Sequence, residues 1–310
     1  MNSSANAPTN SPVNSELPAP SSNAAATRPF YWSVLRELWE NRSIYIGPLI
    51  VAVVVLFGFL LSTIGLAERR RAVLLLDSAK ARAAIEVPYD VAAVVLIVTA
   101  FIVGVFYCLD ALHGERRDRS ILFWKSLPVS DLTAVFSKAT IPMAVLPLVT
   151  LVIVVVTQLV MLLWTSGVLI SHGMSPASTW TTIPWFQNCV VLVYGLVALA
   201  LWHAPIYGWA LLISGVARRA TFLWAVLPPF AIAIFEKITF NTSHFAGLLK
   251  HRLLGFGEEA FAFSPKGDMP VVLQLTPARY LSTPGLWIGL LFAVALVIAA
   301  VRLRRYRGPI

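Results

Sequence analysis

Apolar positions in this chain come in long blocks rather than in short amphipathic stripes. Six such blocks can be read off the sequence: residues 44–66, 91–109, 139–164, 189–215, 221–235 and 286–301. Most are long enough to cross about 30 Å of hydrocarbon as a helix, and residues 281–284 extend the short sixth one. The fifth carries Pro228 and Pro229 near its middle. A proline pair removes two backbone donors, so the pattern predicts a bent or broken span followed by a half-inserted stretch. Ahead of the first block, Phe30, Tyr31, Val34, Leu35, Leu38 and Trp39 recur at helical spacing, with Ser33, Arg36, Glu37 and Glu40 on the other face. Thr27 can cap this helix and Pro29 suits its first turn. The segment 27–43 reads as an amphipathic helix lying in the membrane interface, its aromatics at headgroup depth. Residues 1–26, mostly Ser, Asn, Ala and Pro, are too polar to pack and read as a disordered tail without signal-peptide character.

Composition supports this reading. Of 310 residues, 58% are hydrophobic and 13% charged, against about 25% charged in soluble domains. The mean hydropathy is +0.76. These values exclude a disordered chain, a collagen-like chain and a soluble enzyme. Cys108 and Cys189 lie in apolar runs and read as small buried hydrophobes rather than a disulfide framework. The net charge of +9 would suggest nucleic acid in a soluble protein; here it asks which membrane side holds the excess, and no nucleic-acid partner is implied. Fourteen of the 24 Lys and Arg fall on one side if both termini are cytoplasmic, and the 165–188 loop has none. The basic tail at 302–310, with Arg302, Arg304, Arg305 and Arg307, favours that orientation. Arg69, Arg70 and Arg71 stand against it, directly after the first span. The fold expected is an all-α membrane protein in which residues 44–301 form one six-helix domain.

The most informative loop joins the second and third spans, from Asp110 to Lys138. It holds a mixed-charge cluster, Glu115, Arg116, Arg117, Asp118 and Arg119, then an apolar group around Ile121, Leu122, Phe123, Trp124 and Leu127. Pro128 ends that short helix, and Ser130 with Asp131 can cap the next. Charges beside exposed aromatics suit docking into a partner's groove. The same residues equally suit an ionic loop whose Phe123 and Trp124 fold back to the lipid interface.

The stretch Glu-Arg-Arg-Asp-Arg-Ser-Ile-Leu-Phe-Trp-Lys-Ser-Leu-Pro-Val-Ser-Asp at 115–131, with Lys138 ahead of the third span, resembles the permease subunits of ABC-type transporters of the type-2 exporter group. A second stretch, 214–229 between the fourth and fifth spans, adds to the resemblance, which covers about residues 28–307. It implies an interfacial helix, six spans, a cytoplasmic coupling helix between spans two and three, and a partly re-entrant segment after span five. It further implies a dimer with a second copy or close relative, two copies of a separate ABC ATPase, and residence in a bacterial inner membrane. Glu115, Arg116, Arg117, Asp118 and Arg119 would then touch the ATPase, with Phe123 and Trp124 bracing the coupling helix. Arg218 and Arg219 rank second as contacts and read equally well as positive-inside anchors. The chain binds no cofactor in this reading. No segment has the Gly-x-x-x-x-Gly-Lys-Ser/Thr order that cradles phosphates, the nearest fragment being 264–267, so ATP-Mg belongs to the partner.

Weaker candidates lie inside the spans. His203, beside Pro205 in span four, could line a pathway, but a hydrogen bond to a carbonyl freed by Pro205 is the favoured reading. Gln158 reads as a bond between helices. Glu236 and Lys237 close span five and could pair there. Two rival functions remain open: a non-transporting six-span scaffold or sensor, and an intramembrane enzyme. The second lacks His-Glu-x-x-His and Gly-x-Ser-x-Gly, and its five His are scattered. Almost uncharged spans mildly favour an amphipathic cargo.

Overall fold

The computed structural model describes residues 29–306 apart from 74–75, 77, 127–128 and 263–273. The tail at 1–26, the Thr27 cap, Pro128, the fragment at 264–267 and Arg307 therefore lie outside the described residues. The chain forms α1 (Pro29–Glu40), α2 (Ser43–Ser62), α3 (Leu66–Val73), α4 (Ser78–Ala111), α5 (His113–Arg117), α6 (Ser120–Ser126) and α7 (Asp131–Thr140). A π-turn at Ile141–Val145, built around Pro142, leads into α8 (Leu146–Ser171). Then come α9 (Ala177–Thr182), α10 (Trp185–Val216), α11 (Thr221–Phe240), α12 (His244–Leu254), α13 (Phe256–Ala260), α14 (Pro277–Ser282) and α15 (Pro284–Tyr306). Two-residue strands, Phe261–Ala262 and Gln274–Leu275, pair antiparallel before α14.

Six helical runs are long and apolar enough to cross a membrane: Ser43–Ser62, Lys80–Arg117, Asp131–Ser171, Trp185–Val216, Thr221–Phe240 and Pro284–Tyr306. The protein is thus a helical integral membrane protein. Most runs extend past their apolar blocks because helix geometry does not stop where hydrocarbon does, whereas the first ends at Ser62, inside its block; α4 opens a full turn or more before its apolar stretch, through Arg82, Glu86 and Asp90.

The helix α10 is the central post. Its small residues Ala198, Ala200, Ala204, Gly208 and Ala210 are buried, which lets neighbouring backbones approach closely. A side chain at Gly208 would meet Ala293 O at 3.2 Å and Leu296 Cβ at 3.4 Å on α15. By contrast α11 buries none of its residues.

The break expected at Pro228 and Pro229 does not occur. α11 is helical from Thr221 to Phe240 with both prolines inside. Pro229 deprives Ala225 O of its usual donor four residues on, and Trp209 of α10 supplies a replacement, its indole Nε1 donating to Ala225 O at 2.9 Å. The chain reverses instead at Asn241, which is left-handed at φ 49°. Glu236 does not pair with Lys237 but caps the helix that follows. Its carboxylate accepts from Thr242 Oγ1 (2.7 Å), His244 N (2.7 Å) and Phe245 N (2.8 Å), satisfying first-turn donors of α12. α12 then folds back onto α10, where Trp202 Nε1 donates to Arg252 O at 3.0 Å. That contact lies roughly 26 Å along α10 from its first residue, at about 1.5 Å per residue.

Candidate functional site

The ends of α1, α4, α7 and α15 converge on the loop between the second and third spans, and charged side chains meet there out of water. Glu37 of α1 is fully buried and Lys138 of α7 is 2% exposed. Lys138 Nζ lies 2.8 Å from Glu37 Oε1 and 3.2 Å from Glu115 Oε1. Arg36 Nη2 reaches the same two oxygens at 2.7 and 3.3 Å. Arg304 Nη2 lies 3.2 Å from Glu115 Oε2, while its Nη1 holds Asp131 Oδ1 at 2.6 Å. Tyr107 of α4 donates its hydroxyl to Glu37 Oε2 at 2.8 Å. Three cations, Arg36, Lys138 and Arg304, thus face three carboxylates, Glu37, Glu115 and Asp131, with the exposed Glu40 3.5 Å from Arg36 Nε at the edge.

The charge state of Glu37 follows from this geometry. Burial is the strongest single influence and pushes its pKa up; the Lys138 ammonium, its hydrogen bond, Arg36 and the Tyr107 hydroxyl together outweigh it. The carboxyl is held below its ordinary value. A buried network of this kind is weak support for net stability, because desolvation offsets much of the attraction. What it does fix is register: each charge needs its partners in place, so α1, α5, α7 and α15 are tied to one arrangement.

α1 is placed by this hub in a way that its amphipathic pattern does not suggest. The residue it buries completely is Glu37, on its polar face, whereas Tyr31, Trp32 and Trp39 are exposed. Val34 and Leu38 pack on the core around Tyr107 and Leu211. α1 thus buries one charge together with part of its apolar face and leaves Tyr31, Trp32, Trp39 and Glu40 exposed.

A second set of contacts clasps α5 to the end of α10. Ser214 Oγ accepts from both Leu112 N and His113 N at 2.8 Å, satisfying donors at the start of α5. In return Arg116 Nη1 donates to Gly215 O at 2.8 Å and Ala217 O at 3.4 Å, the carbonyls at the end of α10.

The structure therefore divides the five charges that looked like one cluster. Glu115 and Arg116 are buried and bonded within the protein. Arg117, Asp118 and Arg119 are exposed, with Arg117 Nε 3.0 Å from Asp118 Oδ1. Phe123 is 60% exposed and meets Trp124 edge-on at 4.9 Å between ring centroids. Trp124 itself lies under the Arg36 guanidinium, 3.8 Å from ring centroid to Cζ, which joins α6 to the hub by a cation–π contact. Arg218 and Arg219 are exposed just beyond α10. Arg304, read from the sequence as part of a plain basic tail, is instead the buried end of α15, and the helix runs on to Tyr306.

The remaining candidates sit elsewhere. His203 is buried with Nδ1 2.9 Å from Leu199 O and Nε2 3.3 Å from Leu253 O. Pro205 lies inside α10 and frees the carbonyl of Leu201, not that of Leu199, so the expected partner of His203 was the wrong carbonyl. Pro228 and Pro229 lie in the peripheral α11, far in the chain from any charge of the hub. Gln158 Nε2 donates to Tyr89 O at 3.3 Å, tying α8 to α4. Sequence reasoning missed Glu37 and Arg304 as hub members. One signal was available: Glu37 is the carboxylate next to Arg36 on a helix rich in apolar residues, where a buried charge needs a partner.

Compared with protein-family models, curated proteins and solved structures, the chain matches none.

Proposed function

We propose that this chain is the membrane subunit of an ATP-driven exporter, working as a dimer with a second copy or close relative and driven by separate ATPase subunits. The observation that carries this reading is the two-sided construction of the loop between spans two and three. Its outer side presents Arg117, Asp118, Arg119, Leu122 and Phe123, all exposed. Its inner side is held to α1, α7 and α15 through Glu115 and to α10 through Arg116 and Ser214. A soluble partner pressing on such a loop would move several spans together, because the buried charges have no cheap alternative pairing. Hydrolysis belongs to the partner, and the hub end faces the cytoplasm of a bacterial inner membrane. Both described chain ends, α1 and the end of α15, meet at the hub, in keeping with an even number of spans.

The test has three readings. Co-purification with an ATPase, stimulation of its hydrolysis, and ATP-dependent movement of an amphipathic cargo in vesicles are each expected. Association without transport would favour a membrane scaffold; no association at all would overturn the exporter. A reporter fused after Arg307 should report the cytoplasm and one near Ser175 the outside, and the reverse would put the loop on the wrong side.

A further inference from the structure

Arg69, Arg70 and Arg71 run against the charge bias of the loops, and the structure gives each a different setting. They lie on α3, at the bundle end opposite the hub. Arg69 turns back to the end of α2, its Nη2 donating to Ser62 O and, at 2.7 Å, to Ile64 O. Arg71 is exposed. Arg70 lines a cleft of about 940 Å³ between α3, the start of α4, the end of α8, α9 and the start of α10. Arg70 is half-buried, and no carboxylate among the described residues pairs with it.

The chemistry of the lining is uneven. Arg82 also faces the cleft, partly neutralised by Glu86 at 2.9 Å, and no Asp or Glu is among the described lining residues. The side chains of Ser178 and Gln187 line it without a hydrogen-bond partner among the described residues, whereas Thr181 returns its hydroxyl to Ala177 O at 3.0 Å. The floor is apolar: Val73, Ile85, Leu169 and Met174. Burial lowers the pKa of Arg70, opposed among the described residues by Tyr89. The volume falls in the range of about 300–1,000 Å³ typical of small-molecule sites and exceeds what a bare anion needs.

We infer that this cleft binds an anionic amphiphile, a phosphate group held by Arg70 with Ser178 and Gln187 and an attached apolar chain lying on Ile85, Leu169 and Met174. A guanidinium pairs with phosphate through two parallel hydrogen bonds, and the apolar floor takes the chain. The site stands independently of the exporter reading, since it requires neither an ATPase nor movement of the bundle.

The experiment is titration calorimetry on the purified full chain in neutral detergent. The probes are dihexanoyl phosphatidylglycerol, dihexanoyl phosphatidylcholine and inorganic phosphate. Phosphatidylglycerol should bind about tenfold or more tighter than either other probe, as expected for one charge-assisted contact plus apolar burial. Arg70→Gln should erase that preference, and Ser178→Ala, which removes only an exposed hydroxyl, should weaken it several-fold in a protein of unchanged melting behaviour. Arg71→Gln, one residue away and exposed, should leave it intact. Equal binding of the two lipids, or equal losses in Arg70→Gln and Arg71→Gln, would overturn the site. Inorganic phosphate binding as tightly as phosphatidylglycerol would overturn the amphiphile, because the apolar floor would then contribute nothing.

Discussion

Glu115 and Arg116 are adjacent in sequence to Arg117, Asp118 and Arg119, yet the two groups have little else in common. The first two are buried and bonded to groups distant in the chain, at residues 36, 138, 215 and 304. The other three face outward, and Arg117 forms ion pairs with Asp110 and Asp118, its near neighbours in the chain. The difference teaches that a run of charges is not one functional unit. Whether a charge serves the fold or a partner depends on where it falls along a short helix and the turn after it, and on what the other helices bring to that place.

That division is open to test, and the largest effects should come from the buried side. Lys138→Met removes the ammonium shared by Glu37 and Glu115, leaving two buried carboxylates short of a partner. Breaking such a pair costs about 3–5 kcal/mol, so the thermal unfolding midpoint in detergent should drop sharply. Arg304→Ala should fall in the same class, since it strips Glu115 and Asp131 together; a midpoint equal to wild type in either variant would mean that the hub is not formed as described.

The acid side of the stability profile offers a second check. A carboxyl held below its ordinary pKa in the fold contributes stability that is present above the unfolded value and lost as the pH falls through the folded one. Wild type should therefore lose stability below the usual carboxylate range. In Glu37→Gln that slope should be shallower, with the protein less stable at neutral pH because Lys138 and Arg36 lose a charge partner. Parallel acid curves for the two proteins would contradict the lowered value.

A smaller loss is expected at the clasp. Arg116→Ala leaves the carbonyls of Gly215 and Ala217 without their guanidinium donor, worth about 1–3 kcal/mol. Paired with Ser214→Ala in a double-mutant cycle, it should show coupling, because both hold α5 to the same helix end; strict additivity would separate the two contacts.

The smallest effect on stability, and the most telling for function, belongs to the exposed side. Arg117→Ala and Asp118→Ala should shift stability by no more than about 0.5 kcal/mol. If these residues face an ATPase, the same variants should nevertheless weaken its co-purification and uncouple hydrolysis from transport. Full association and full transport in both would reduce the outer trio to solvated surface and sharpen the contrast with Glu115 still further.

Much of the fold was legible in the sequence because hydrocarbon imposes a one-dimensional rule. A segment of about twenty apolar residues crosses it as a helix, and five of the six blocks lie wholly within the long apolar helical runs, the first block running four residues past Ser62. The site was legible only as a location. The loop at 110–138 stood out by its charges, but nothing local distinguishes Glu115 from Asp118. Lys138 was visible only as one more positive charge ahead of a span, and Arg304 as one of several in a tail. Their partners lie up to 189 positions away along the chain, as between Glu115 and Arg304.

The two proline-bearing helices make the same point from the apolar side. α10 and α11 are both apolar enough to span, yet one is the post of the bundle and the other buries nothing. The pattern of apolar blocks by itself determined that this protein is helical and membrane-embedded, with six segments long and apolar enough to span, since those properties follow from the cost of leaving backbone and charge in lipid. Tertiary structure alone decided that α11 continues through its prolines, because Trp209 on a neighbouring helix replaces a missing donor. It also decided which charges are buried, because a charge can leave water only where opposite charges from other helices arrive at hydrogen-bond distance.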